Sequence, residues 1–533
     1  MEPLRRPNLL EARKQIMPQC QLLLIGLDAA EPSCIERWIS EGRLPNLARL
    51  RGEGSWSLLR SPAEEFPDEV WPSLYASTNA ARLGKYYYIQ PEEGSDRLVL
   101  LEDDHQGKQF WTAASEAGKR CAVIDPPKTA IMPGLNGVQI ASWGAHASHC
   151  ETTSQPPELL SELIASHGDY PLDSCDNHGR SPAAYRQLRE KLIEGVRRRG
   201  AVLRDLLDRE DWDLFFAAFS ETHCSGHQFW HFQDPSHPLY DPTDRHGLRS
   251  AMADVYEAID AEIGSLVERV GPDTPVMIFS GHGMAPQFHG RDLTPTLLDL
   301  WGLSGSSNIA PDPSRSRRIE VKPGLVQWLK EKVPIQMQYA VKAMLPKPIE
   351  DAVVARVMGS KNLNPRARVN YVPNNDLNPA FRVNLKGRDP HGLVAPGAEY
   401  DAVLDFLTLR LRELVNPSTG KPAIRKVTRL HDRYAGPLLD RLPDLTAMWS
   451  RDAWIGEVDS PGYGRVIGSH HDLRTGGHEA LGFCLLRMAG AEIDLESCEP
   501  SGKDIGPTVL SILGAPVPDA MEGRSLARIR ALR

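Results

Sequence analysis

The sequence predicts an α/β fold in which a mostly parallel sheet carries helices on both of its faces. Short apolar runs indicate buried strands at 22–28, 122–124, 214–219, 276–279 and 482–486. Amphipathic stretches between and after them indicate helices at 32–40, 44–50, 185–207, 250–270 and 505–513, the last ending at a glycine cap. Strands that alternate with helices require crossover connections, which make neighbouring strands parallel and cover both faces.

The length of 533 residues exceeds one ordinary domain. Composition changes after about residue 300, where a Ser-, Pro- and Arg-rich stretch precedes helical patterns at 324–333 and 400–414 mixed with irregular polar segments. We therefore expect a core built from residues 20–300 and 460–533. Residues 301–459 form an inserted cap, and residues 1–19 form an N-terminal extension.

Composition and charge narrow the class of protein. A net charge of −9 argues against a general nucleic-acid binder. The apolar runs are far shorter than the roughly 20 residues that cross a bilayer, so no membrane association is expected. Residues 1–20 are charged throughout and do not resemble a signal peptide. The eight cysteines contain no CxxC pair, which favours a reduced, cytoplasmic setting. The sequence leaves the oligomeric state open.

Histidines at the ends of the predicted strands carry the functional signal. His223 and His227 stand four residues apart after the run 214–219, so a helix there would place both on one face, as a zinc site needs. His282 follows the run 276–279, and His478 precedes the run 482–486. Open α/β sheets keep their active sites at such strand ends. These positions favour metal ligands over isolated surface histidines and predict a metal-dependent enzyme.

Seven segments together resemble the type I phosphodiesterase and nucleotide pyrophosphatase branch of the alkaline phosphatase superfamily. They are residues 24–28, 42–47, 70–73, 225–227, 280–284, 476–478 and 504–510, and segment 381–389 within the insert also resembles bacterial members. The resemblance implies an alkaline-phosphatase-like α/β/α sandwich with a large inserted cap. It also implies a two-metal site, normally zinc, that activates a Thr or Ser nucleophile and shares the charge of the transferring group.

Carried over by position, the resemblance assigns the ligands of both metals. The first metal would take positions 223, 227 and 478, although His470 and His471 compete with His478 for the last place. The second would take Asp28, the oxygen of the nucleophile, and positions 281 and 282. Judged from the sequence pattern alone, Asp28 at a strand end can instead cap the helix that follows.

This chain departs from the family pattern at three positions. His223 replaces an Asp, Gly281 replaces the Asp of an Asp-His pair, and Val70 stands where the nucleophilic hydroxyl belongs. The first site becomes a three-histidine set with one open position, which suits catalytic zinc. The second keeps only Asp28 and His282. We therefore expect one well-formed Zn²⁺ site, a possible second metal, and no covalent phospho-enzyme.

Charged residues next to Val70 and within the insert are candidates for the general base, the second metal site and substrate binding. Asp68 and Glu69 precede Val70, and either carboxylate can complete the second metal site or act as a general base. By default they are a solvated loop pair. Arg382, Lys386 and Arg388 form a basic strip that can hold an anionic substrate, or a solvated face of the insert.

The sequence thus predicts a zinc-dependent hydrolase or transferase that attacks a phosphoester, phosphodiester or sulfuryl-type ester directly. The expected substrate is a small anionic ester, with no nucleic-acid polymer as partner. Two alternatives remain open. One is a non-hydrolytic zinc enzyme, a group transferase or lyase of specialised metabolism, and the other is a degenerate member that binds a ligand without turnover.

Overall fold

The computed structural model describes most of the chain. The described residues are 19–101, 108–144, 151–172, 175–176, 181–287, 293–305, 318–321, 362–374, 378–468, 474–490 and 493–527. The helix expected at 324–333 and the alternative ligands His470 and His471 lie outside them, as does nearly all of the N-terminal extension.

An eight-stranded sheet forms the centre of the molecule. In spatial order its strands are Ser55–Arg60, Leu481–Arg487, Val276–Ser280, Cys20–Leu27, Trp212–Phe219, Cys121–Ile124, Gly137–Ala141 and Thr153–Gln155. The five strands from Val276–Ser280 to Gly137–Ala141 are parallel, while Leu481–Arg487 and Thr153–Gln155 run antiparallel to their neighbours. This mostly parallel sheet confirms the predicted α/β class.

Both faces of the sheet are buried, as the continuous apolar strands predict. Leu23 and Ile25 of the central strand pack into one hydrophobic cluster with the long helices Pro182–Arg209 and Ala251–Val270. Leu22 and Leu24 point to the opposite face and pack with helices that include Phe110–Glu116 and Ile505–Leu513. The architecture is therefore an α/β/α sandwich.

The helices agree closely with the amphipathic pattern. Gly514 ends the last one with a φ of 66°, the left-handed cap expected there. The α-helices of the described chain are Pro32–Ser40, Pro45–Glu53, Val70–Ala76, Ala80–Leu83, Phe110–Glu116, Leu159–His167, Pro182–Arg209, Glu221–Gln233, Ala251–Val270, Leu293–Leu300, Ala398–Arg412, Leu430–Arg433 and Ile505–Leu513.

The region predicted as a cap, residues 301–459, contributes strands to two small sheets that are separate from the central sheet. Strand Gly464–Ile467, which joins one of them, lies just past this range. One of the two sheets orders the strands Arg318–Glu320, Gly464–Ile467, Glu457–Ser460, Val415–Asn416 and Lys421–Pro422, and the other Val369–Val372, Ala380–Val383, Leu445–Trp449 and Ile424–Arg429. Their shared hydrophobic cluster also takes in helix Leu293–Leu300. A smaller cluster joins the cap to the core, where Val372 and Leu430 pack with Phe66.

Among the described helices, none is both long enough and apolar enough to cross a membrane. Seven cysteines fall in the described part of the chain, and none of them forms a disulfide bond.

Candidate metal centre

The candidate residues gather at the edge of the central sheet that is formed by the carboxyl ends of its parallel strands. Asp28, helix Glu221–Gln233 and His282 each follow the carboxyl end of a parallel strand. His478 lies in strand Gly476–Glu479, just before Leu481–Arg487, which runs antiparallel and therefore begins at this same edge. Sheet topology thus brings together residues that are up to 450 positions apart in sequence.

Three imidazoles converge at this edge and form what we call the first site. His223 Nε2 lies 3.1 Å from His227 Nε2 and 3.0 Å from His478 Nε2. One ring nitrogen from each of the three lies within 4.8 Å of the others, the spacing of a metal-ligand set. Helix Glu221–Gln233 supplies the predicted four-residue pair from one face. The donor set of three imidazoles fits a zinc ion with an open coordination position.

Hydrogen bonding fixes how His227 presents its nitrogens. Its Nδ1 donates to the carbonyl of Gly476 at 2.6 Å, so the Nε2 lone pair faces the other imidazoles. The strand that carries Gly476 can lie close to helix Glu221–Gln233 because glycine has no side chain to separate them. A Cβ at Gly476 would lie 2.3 Å from the carbonyl oxygen of Gly226. Larger residues at position 476 would therefore push His478 away from the helix.

The cap holds the strand of His478 from the other side. Arg451, which follows the cap strand Leu445–Trp449, donates a hydrogen bond to the backbone carbonyl of His478. It also pairs with Glu479, with Nη1 and Oε2 separated by 3.0 Å. Burial lowers the pKa of Arg451, an effect that the charge of Glu479 opposes. The cap thus contributes to the position of a candidate metal ligand.

The surroundings of His478 favour its neutral imidazole. Burial, followed by the nearby His282 and His227 and by the cations Arg474 and Lys128, lowers the pKa of His478 well below its usual range. Neutral imidazole is the form that binds metal. The Arg474 guanidinium lies 3.4 Å from His227 Nε2 and pairs with Asp176 at 2.6 Å.

Asp28 and His282, which we call the second site, are placed differently. The Oδ1 of Asp28 accepts a hydrogen bond from the indole of Trp71 at 2.6 Å. His282 is buried, and burial together with the charge of Lys128 lowers its pKa to about 3. Within the described chain, the three histidines of the first site are the one group of three or more possible metal ligands that the structure gathers.

Val70 and Gly281, two of the three departures from the family pattern, lie against each other. A Cβ built at Gly281 would come within 2.4 Å of Val70 Cγ1. Both residues are buried. An aspartate at position 281 therefore cannot be accommodated while Val70 keeps this position, and the loss of the hydroxyl and the loss of the carboxylate form one packing arrangement.

The two candidate carboxylates face different partners. Asp68 pairs with Lys128 and is largely buried. Glu69 accepts a hydrogen bond from Ser73 at 3.2 Å through Oε1, while its buried Oε2 has no hydrogen-bond partner among the described residues. Burial raises the pKa of Glu69 well above its usual range, an effect that Lys85 opposes. Neither residue is the solvated loop carboxylate that is the default expectation.

The basic strip expected at Arg382, Lys386 and Arg388 needs correction. Arg382 pairs with Asp389 at 2.8 Å, and Arg388 pairs with Asp444 at 2.7 Å. Two of the three cations thus hold the cap together, whereas Lys386 is exposed. Buried carboxylates satisfy the two guanidinium groups, so the structure does not present a continuous cationic strip.

Sequence reasoning missed three cations near the site. Lys128 lies in the loop after strand Cys121–Ile124, and Arg474 and Arg451 flank His227 and His478. The strand-end argument that selected the histidines applies equally to Lys128. Arg451 carries no local signal, because only the folding of the cap brings it to the strand of His478.

The α/β/α fold and its strand-end histidines agree with the resemblance to the alkaline phosphatase superfamily found in the sequence. More narrowly, the chain belongs to the type I phosphodiesterase / nucleotide pyrophosphatase family, whose sequence model matches residues 22–473. This match confirms the resemblance found in the sequence. Family membership indicates hydrolase chemistry on phosphoester or phosphodiester bonds.

Solved structures support the same fold. Phosphonoacetate hydrolase from Sinorhizobium meliloti 1021, in complex with phosphonoacetate, matches with a TM-score of 0.50 and 14% identity over 94% of this chain and 96% of that one. The alkaline phosphatase PafA matches with a TM-score of 0.51 and 12% identity over 96% and 99% of the two chains. No curated protein gives a significant match.

Proposed function

We propose that this protein is a zinc-dependent hydrolase of a small anionic phosphoester that works without a covalent phospho-enzyme. The observation that carries the proposal is the convergence of three imidazole nitrogens, with separations of 3.0 and 3.1 Å. A zinc ion bound there supplies Lewis-acid stabilisation of the charge on the transferring group.

The protein's own residues limit how the reaction proceeds. Val70 offers only methyl groups at the family's nucleophile position, so water or an acceptor hydroxyl attacks phosphorus directly. A nearby carboxylate takes the proton of that nucleophile. Asp68 is the better candidate, because it pairs with Lys128, whose charge lowers the pKa of both His282 and His478. Glu69 instead accepts a hydrogen bond from Ser73.

The test combines metal analysis with a substrate panel. Purified protein should contain stoichiometric zinc and release product from at least one aryl phosphodiester, phosphomonoester or sulfate ester. His227→Ala should lose both metal and activity, whereas His246→Ala, at an exposed histidine in the loop after helix Glu221–Gln233, should lose neither. Metal-free protein that is inactive on the whole panel would indicate a binding protein instead.

Stereochemistry tests the direct route. One in-line displacement inverts a chiral phosphorus, whereas two successive displacements restore its configuration. We expect inversion. Retention, or an adduct on Ser73 detected by mass spectrometry, would overturn direct attack. Ser73 is the hydroxyl to examine, because Glu69 accepts its hydrogen bond and can serve as its base.

A further inference from the structure

The loop that carries Lys128 is held rigidly at the edge of the sheet. The carboxylate of Asp125, at the start of the loop, accepts hydrogen bonds from the backbone of Trp143 and Gly144 at 2.9 and 2.7 Å and pairs with the buried Arg199 at 2.7 Å. Further along, Tyr75 donates to the carbonyl of Pro127 at 3.0 Å. These contacts fix the loop before any ligand binds.

The backbone of the loop is also unusual. Asp125 and Lys128 both adopt left-handed conformations, with φ of 55° and 57°. Residues other than glycine rarely adopt this conformation, and such strain concentrates at functional sites. The strained turn directs the Lys128 side chain towards Asp68 rather than into solvent, and the side chain is 17% exposed.

The ammonium group of Lys128 has capacity for a ligand. It donates to the carboxylate of Asp68 and to the Asp68 backbone carbonyl, the latter at 3.1 Å. An ammonium group has three N–H donors, so one donor has no partner within the described part of the chain. Its charge also helps to lower the pKa values of His282 and His478, one histidine from each of the two candidate sites.

The second site does not fit a metal ion. Among the described residues, Asp28 and His282 are the two donors left at the family's ligand positions, and one oxygen of Asp28 accepts the hydrogen bond from Trp71. The candidate replacement Asp68 is already paired with Lys128. Val70 packs where the nucleophile's oxygen would lie and leaves no room for a carboxylate at Gly281. A site with two protein donors and an apolar wall holds a divalent cation poorly.

We propose that Lys128 takes over the charge role of the second metal, so that this protein works with one metal ion and one fixed ammonium group. Lys128 donates its remaining N–H to a phosphoryl oxygen of the substrate, and Asp68 positions it. This inference rests on the proposed function, since it assigns a phosphoryl ligand to the same site.

In this arrangement, Lys128 has opposite effects on the binding of the anionic ligand and of the metal. As a fixed positive charge beside the site, it attracts the anionic ligand and repels a metal cation. Removing its charge should therefore weaken the binding of phosphate and strengthen the binding of metal. A lysine with a purely structural role would not separate the two, because a distorted site binds both ligands less tightly.

The first measurement is metal stoichiometry. Titration of the metal-free wild-type protein with Co²⁺, followed by its visible absorption, should saturate at one equivalent per chain. Saturation at two equivalents with similar affinity would overturn the proposal. This measurement needs no variant and so does not depend on a variant's folding.

The second measurement compares Lys128→Met with Lys128→Arg. In the Co²⁺-loaded protein, Lys128→Met should weaken binding of inorganic phosphate by at least about tenfold, the scale of a lost charged hydrogen bond. The same variant should tighten Co²⁺ by a factor of roughly two or more. Lys128→Arg keeps the charge and should lose less phosphate affinity. Lys119→Met is the matched control, because Lys119 lies at the opposite end of the same strand and pairs with Asp213.

The outcomes separate this inference from the proposed function, because neither titration requires turnover. One bound metal with Lys128-dependent phosphate binding, but no hydrolysis of any ester, would leave the inference standing and remove the proposed function. Hydrolysis with two bound metals would do the reverse. Equal weakening of phosphate and metal binding in Lys128→Met would overturn the proposed role of Lys128.

Discussion

The first and second sites lie at the same edge of the same sheet, yet they differ in what surrounds their ligands. In the first, the imidazoles of His223, His227 and His478 meet at 3.0 and 3.1 Å. In the second, Asp28 and His282 remain, while Val70 and Gly281 form an apolar contact. The three imidazoles form a complete candidate donor set, whereas the side chains at Val70 and Gly281 offer no donor. A shared scaffold therefore does not guarantee a shared ligand count.

The comparison is most sharply tested by removing ligands from each site in turn. His223→Ala, His227→Ala and His478→Ala should each abolish stoichiometric zinc and activity, because two imidazoles seldom hold zinc tightly. His282→Ala should retain the metal. Metal content by atomic absorption distinguishes the cases, and loss of metal from His282→Ala alone would reverse our assignment of the sites.

The carboxylates beside Val70 should produce the next largest effect. Asp68→Asn should lower turnover on the order of 10²-fold, the usual scale for losing a general base. Glu69→Gln lowers turnover comparably if Glu69 is the base instead. Full activity in both variants would exclude each as the proton acceptor.

Glu69→Gln also has an expected effect on stability. Burial raises the pKa of Glu69 above its value in the unfolded chain, so the ionised carboxylate destabilises the fold increasingly as the pH rises above about 4.5. Glutamine removes that cost. The melting temperature of the variant should exceed that of the wild type at pH 7, and the difference should shrink towards pH 4.5. A difference that is independent of pH would contradict this account.

The neutral histidines should make the metal-free protein sensitive to acid. His282 has a pKa of about 3 in the fold, against about 6.5 when unfolded, so the unfolded chain binds the extra proton between these values. Stability should therefore fall as the pH drops from 6.5 towards 3, by up to about 1.4 kcal/mol per pH unit for each such histidine. His282→Gln should flatten the slope measured by denaturant unfolding, whereas His246→Ala should leave it unchanged.

The smallest expected effect concerns the second site alone. Val70→Thr restores a hydroxyl without restoring the carboxylate at Gly281, so no phosphorylated Thr should appear by mass spectrometry. Burying the hydroxyl should lower stability by about 1–3 kcal/mol. Formation of a covalent adduct on the new Thr would show that the second site still activates a nucleophile.

The sequence predicted the central strands and the first site for the same physical reason. Buried parallel strands are continuous apolar runs, and the residues at their ends must meet at one edge. The strands Ser55–Arg60, Gly137–Ala141 and Thr153–Gln155 were missed because they are short and polar residues interrupt them. Their apolar residues do not form a continuous run.

The charged residues of the cap were beyond prediction for a different reason. Arg388 resembles a substrate-binding cation in sequence, but it pairs with Asp444, 56 residues away. Lys128 was not predicted as a site residue because its role depends on the loop conformation and on its contact with Asp68. Local patterns identify a charge, whereas its partner is set by tertiary contacts.

The contact of Arg451 with the carbonyl of His478 bears on how this protein can be re-engineered. A cap transplanted from a relative to change substrate preference would remove the side chain that holds a candidate zinc ligand in place. Such a chimera should bind zinc less tightly even if its new cap folds well. A grafted cap therefore has to keep an arginine at position 451, so that it can pair with Glu479 of the core.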